Sequence, residues 1–200
     1  AKMWKCEGDS SSGRSHGVKE FARMADGTMV GGESNMPTID NRIDRVFYNE
    51  PVRATDTAIQ AIRAADGILY GIGSIFTSIL PNLIIPEIQE AIRQSHAYGV
   101  YICNAMSQPG ETDDFTMEDH VAALVRHGAR IDEVLAAGDE IPPQVLQRYA
   151  REGGKPVRIT AKNHPYKLTV APLLDFDQGL VRPDCERVRV CFEDILKGME

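Results

Sequence analysis

The chain has 200 residues, 42% hydrophobic and 26% charged, which is enough apolar material for one sizeable core. Its net charge of −7 argues against non-specific binding to nucleic acid or to an anionic membrane. It leaves open an anionic small ligand held by backbone amides.

The four cysteines, Cys6, Cys103, Cys185 and Cys191, form no Cys-x-x-Cys pair. A zinc site, a thioredoxin-like motif or a disulfide framework is therefore not expected, and a reduced, cytoplasmic setting is. No apolar run reaches the length of a membrane span, and the polar stretch Ala1–Glu20 lacks a signal-peptide core. The chain starts without Met, which suggests truncation at the N-terminus.

In chain order, residues 1–23 read as a loop or disordered segment, because Glu7–Gly17 is rich in Ser and Gly and has no apolar period. Asp26-Gly27 followed by Thr28–Val30 and the pair Gly31-Gly32 predicts a hairpin. Arg45–Tyr48 predicts a strand. From there the pattern alternates. Thr55–Ala65 is helical, capped by Thr55 or Asp56, and Gly67–Tyr70 is a buried strand. Ile84–Gln94 is a helix, Val100–Cys103 a second buried strand, Thr116–His127 a helix and Ile131–Leu135 a third strand. Pro142–Ala150 is a helix starting at proline, Pro156–Ile159 and Leu168–Ala171 are strands, and Pro183–Leu196 is a closing amphipathic helix. Such alternation predicts an α/β fold with a mostly parallel sheet and helices on both faces. Ligands of such sheets bind beyond the carboxyl ends of the strands.

Two loops sit at those ends. The first is Gly71-Ile72-Gly73-Ser74-Ile75-Phe76-Thr77-Ser78. Gly71 and Gly73 allow close backbone approach, and Ser74, Thr77 and Ser78 add hydroxyls, a combination suited to cradling phosphate. The same pattern fits a tight β–α turn with serine capping. The second loop runs from Asn104 to Asp114 and contains Ser107, Gln108, Gly110 and Glu111. The amides of Asn104 and Gln108 suit either a base or sugar edge or the bracing of the loop itself. Glu111, Asp113 and Asp114 offer carboxylates to Mg²⁺ or sugar hydroxyls, but Asp113 and Asp114 fit better a solvated acidic loop in which Thr112 or Asp114 caps the helix that begins near Thr116. His120 lies on a helix where it could reach the site, although a lone helical histidine is more often a bystander. His96, His127 and His164 show no partner. Cys103, at a strand end, reads as a small buried hydrophobe rather than a nucleophile.

These loops carry a resemblance. Gly32–Pro37, Arg42–Phe47, Ala65–Leu83 and Cys103–Thr112 resemble stretches of the CofD-like family, in its gluconeogenesis-factor branch, over a range from about Met24 to the end. The sequence departs from the family pattern at Ile72, Ser107, Ala136–Gly138 and Pro183. The resemblance implies a three-layer Rossmann-like domain over 24–200 that lacks the family's N-terminal Gly-rich βα unit. It also implies a nucleotide-sugar (UDP-sugar) ligand, and a role in growth and cell shape on gluconeogenic carbon sources with no firmly attached reaction. The ligand-binding set would be Gly71, Gly73, Ser74, Thr77, Ser78, Asn104, Ser107, Gln108, Gly110 and Glu111. Another branch resembles 2-phospho-L-lactate transferase, which implies a guanylylated substrate and Mg²⁺. A missing first unit would also bare a sheet edge, through which a homodimer could form.

Overall fold

The computed structural model describes residues 3–6, 19–32 and 41–198. Five parallel strands make the central sheet, in the order β1 (Met3–Cys6), β5 (Gly67–Tyr70), β6 (Tyr98–Ile102), β7 (Glu133–Ala137) and β8 (Lys167–Ala171). A separate antiparallel sheet holds β2 (Glu20–Met24) between β3 (Met29–Gly31) and β4 (Ile43–Tyr48). The expected hairpin is the β2–β3 pair, which turns at Asp26-Gly27.

β1 and most of β2 fall within the stretch expected to be loop. β1 is only four residues flanked by polar sequence, so no period marks it. It pairs with β5 along its whole length, so the edge beside β5 is filled. In β2, Ala22 and Met24 alternate inward, a signal too short to separate from the Ser/Gly-rich residues before it.

The helices follow local sequence. Helix α1 (Asp56–Arg63) starts at Thr55, whose hydroxyl accepts the Ala58 amide. A turn of π-helix (Ile75–Ile79) runs into α2 (Leu80–Leu83), and α3 (Pro86–Gln94) opens on a proline that has no helical donor to lose. In α4 (Met117–Arg126), Thr116 and Asp119 form a reciprocal capping box. α5 (Pro143–Arg151) also begins at a proline, and α6 (Cys185–Lys197) is capped by Asp184.

Strand residues alternate between two cores, which gives the sheet its three layers. Ile68, Tyr70, Tyr101, Val134 and Ala136 pack with α1 to α4. Leu69, Val100, Ile102 and Leu135 pack with Val188, Phe192 and Ile195 of α6. The small sheet adds Ala22, Met24, Val30, Ile43 and Val46 to the first core. It is also tied there by hydrogen bonds: His127 Nε2 accepts the Val46 amide at 3.3 Å, and the Tyr48 hydroxyl donates to the Pro81 carbonyl at 3.0 Å.

One expected strand is absent. Pro156–Ile159 is coil, with a single bridge from Pro156 to Met106, and Arg158 and Ile159 are exposed. β-branched residues there line a surface strap instead of a sheet. Two-residue strands β9 (Leu174–Asp175) and β10 (Arg182–Pro183) pair antiparallel just before α6.

Candidate functional site

The loop after β5 turns on its two glycines. Gly71 has φ 116°, and a Cβ there would lie 3.2 Å from the Ile102 carbonyl. Gly73 has φ 155°, and a Cβ would lie 3.1 Å from Ser78 Cβ. Both positions suit glycine, because an L side chain would meet positive φ and tight packing together. Ser74 caps the following π-helical turn, its hydroxyl accepting the Thr77 amide. The Ser78 carbonyl accepts the Asn82 side-chain amide at 2.9 Å.

The hydroxyls of Ser74 and Thr77 are aimed at the second loop rather than at open space. The Ser74 hydroxyl makes a short hydrogen bond to Glu111, and the Thr77 hydroxyl reaches the same carboxylate at 3.3 Å. Gln108 Nε2 donates to it at 2.7 Å. Glu111 is 3% exposed, so this carboxylate is a buried clasp between the two loops. Asn104 makes a second tie: its Nδ2 donates to the Gly73 carbonyl at 3.0 Å, and its Oδ1 accepts the Tyr101 hydroxyl at 3.1 Å. Of the two roles open to Asn104 and Gln108, the structure displays loop bracing.

The second loop also folds on itself. The Gln108 amide donates to the Thr112 hydroxyl, and the Gly110 amide to Asp113 at 2.6 Å, with Gly110 at φ 81°. Asp114 pairs with Lys155, and neither it nor Thr112 caps α4; Thr116 does that. Ser107 is buried and pairs twice with Lys155: its amide donates to the Lys155 carbonyl at 2.7 Å, and its hydroxyl accepts the Lys155 amide at 2.9 Å.

Beyond the C-terminal ends of β5, β6 and β7 lies a cleft of about 330 Å³. Of the expected residues, Gly73, Asn104, Ser107 and Gln108 line it. Gly71, Ser74, Thr77, Ser78, Gly110 and Glu111 do not line it. The rest of the lining is mainly apolar, with Ile72, Ile102, Tyr149 and Leu173 prominent and Glu152 polar among them. Sequence reading missed Tyr149, at the end of α5. The Tyr149 hydroxyl accepts the Val181 amide at 3.0 Å, which fastens α5 to the segment leading into β10. A pointer existed, because α5 and the residues after β8 follow the same strand ends. A second cavity of about 140 Å³ lies on the α4 side of Cys103–Ala105, bounded by Met117, Ala136 and Val157.

The titratable bystanders are accounted for. Burial pushes the Cys103 thiol up to about 12, which leaves it unreactive as a nucleophile, as expected from its position. Burial holds His120 and His127 below the usual imidazole range. His120 bonds the Thr116 carbonyl through Nδ1, is fully buried and does not line the cleft. His127 does have partners: Nδ1 meets the Ala123 carbonyl and Nε2 the Val46 amide, so it ties β4 to α4. His164 stacks on Tyr166.

Fold and site together define an α/β, Rossmann-like protein with a ligand-sized cleft at the carboxyl edge of a parallel sheet. The sequence profile of the family described as 2-phospho-L-lactate transferase CofD matches residues 1–174, and the chain belongs to that family. The match therefore starts before Met24. Gluconeogenesis factor of Bacillus subtilis (strain 168) is 38% identical over 182 residues, covering 88% of this chain and 57% of that protein. Gluconeogenesis factor of Halalkalibacterium halodurans is 47% identical over 139 residues, covering 68% of this chain and 43% of that protein. The chain thus spans about half the length of these curated relatives. A solved structure of a UPF0052-family protein from Bacillus halodurans superposes with a TM-score of 0.83 at 36% identity, over 87% of this chain and 58% of that one. Among the described residues, no helix is long and apolar enough to cross a membrane.

Proposed function

We propose that this protein is a nucleotide-sugar-binding regulatory protein of the gluconeogenesis-factor kind, serving growth and cell shape on gluconeogenic carbon sources. The observation that carries the reading is the cleft at the carboxyl edge of the sheet, with the glycine loop and the second loop clasped together as its wall. An apolar cleft of this size with few convergent polar groups suits a nucleoside better than a metal-activated reaction centre. The Tyr149 ring and the Ile72 side chain offer apolar surface to a base, while Gly73 leaves the backbone open to a phosphate.

The resemblance to the transferase branch implies Mg²⁺ with a guanylylated substrate, and the carboxylates of the second loop do not fit that ion. Glu111 is engaged by a serine, a threonine and a glutamine, Asp113 by the Gly110 amide, and Asp114 by Lys155. Among the described residues no three His, Cys, Asp or Glu side chains converge.

The reading is tested by isothermal titration of the protein with UDP-glucose and with GDP, each with and without Mg²⁺. Metal-independent binding of UDP-glucose, lost in Gly73→Val, is the expected result. Binding of GDP that requires Mg²⁺ would favour the transferase instead.

A further inference from the structure

Among the described residues lining the main cleft there is no lysine or arginine. A nucleoside diphosphate brings two or more negative charges into a protein of net charge −7. Backbone amides can hold phosphate oxygens, and a side-chain cation to add to them has to come from just outside the wall. The coil after α5 can supply one. Residues 154–166 contain Lys155, Arg158 and Lys162 and no acidic residue.

Of these, Lys155 alone follows a residue that lines the cleft, Gly154. Its backbone is bonded on both sides to Ser107, another lining residue, at 2.7 and 2.9 Å. Its root is thus fixed to the wall while its side chain is 65% exposed. The ammonium is held by Asp114, 2.7 Å away and 73% exposed. A pair this open is weak and easily exchanged. Arg148 is engaged differently, donating to the Gln178 carbonyl.

Resting on the nucleotide-sugar reading above, we propose that Lys155 is the phosphate-neutralising residue of the cleft, parked on Asp114 until an anionic ligand draws it over. Asp114 competes with the ligand for one ammonium. The two residues should therefore act on affinity in opposite directions, which a purely structural ion pair would not do. The Lys155 ammonium contributes a charge-assisted hydrogen bond to the ligand, so Lys155→Met should weaken UDP-glucose by about tenfold. Asp114→Asn frees the ammonium and should tighten binding by about two- to fivefold.

The test is isothermal titration of the protein and three variants, Lys155→Met, Asp114→Asn and Lys162→Met, with UDP-glucose, UDP and uridine at about 0.15 M salt, where charges beyond about 8 Å are screened. The expected result is weaker diphosphate binding in Lys155→Met, tighter binding in Asp114→Asn and no change in Lys162→Met, with uridine indifferent to all three. Equal loss in Lys155→Met and Lys162→Met would reduce the effect to the general field and overturn the proposal. Unchanged or weaker diphosphate binding in Asp114→Asn would overturn it too. In both cases the nucleotide-sugar reading stands if the parent protein binds UDP-glucose. Failure of the parent to bind UDP-glucose or UDP would sink that reading and the proposal with it. Circular dichroism of each variant checks that folding is unchanged.

Discussion

Removing the Glu111 carboxylate should cost more stability than any other single change in the two loops. In Glu111→Ala, three donors lose their acceptor at a site where the residue is 3% exposed. The Thr77 contact at 3.3 Å is long for a hydroxyl donor and adds little. The Ser74 and Gln108 bonds go to a buried carboxylate, each worth about 1.5–3 kcal/mol net. Because neighbours in one network are not additive, the expected loss is about 3–4 kcal/mol, a large share of an ordinary domain's stability. Urea denaturation should show it as a lower midpoint with an unchanged slope. Glu111→Gln keeps the shape and one acceptor and should lose about half as much. A double-mutant cycle with Ser74→Ala should return a coupling above about 0.5 kcal/mol. A loss under about 1 kcal/mol in Glu111→Ala, or zero coupling, would refute the clasp.

Other outcomes follow from the same geometry. Gly71→Ala must hold φ near 116° while its methyl sits 3.2 Å from the Ile102 carbonyl, and should cost about 1–3 kcal/mol in urea melts. Acid should destabilise the protein through its buried histidines. His120 and His127 are held neutral by burial, whereas the unfolded chain takes up protons near pH ~6.5. Their contribution is therefore full above that pH and declines as pH falls below it, so the urea midpoint should drop between pH 7 and 5.5, and His127→Gln should flatten the drop. Three hydrogen bonds from Thr160 and Ala161 hold Glu118 at about 2, against a desolvation that opposes them, and staple the coil to α4. That stabilisation is present above the ordinary glutamate range and is lost as pH falls toward 2. Glu118→Ala should speed amide exchange at Thr160 and Ala161 while the β6 amides stay protected.

The framework of the fold was legible because its signals are local. Gly67–Tyr70 and Val100–Cys103 are continuous apolar runs, the signature of parallel strands buried on both faces, and each sits next to its loop glycine or asparagine. Thr55 announced its helix through cap chemistry, whereas α4 is capped by Thr116 and not by the loop residues before it. What failed to show was non-local. Met3–Cys6 is a strand only because β5 offers a partner more than sixty residues later. Pro156–Ile159 has strand-like side chains but meets Met106 at one bridge and the Glu118 staple just beyond, so it stays a strap.

The site divides the same way. Glycine positions and loop ends followed from sequence. The direction of the Ser74 and Thr77 hydroxyls did not, because it is set by a carboxylate over thirty residues away. Tyr149 and Leu173 reach the cleft from segments whose local pattern speaks only of helix and coil.

Calorimetric titration of the protein with UDP-glucose in the absence of metal tests the nucleotide-sugar site itself. Saturable one-site binding that survives chelator and disappears in Gly73→Val is the expected result. No binding, or binding that Gly73→Val leaves untouched, would contradict it.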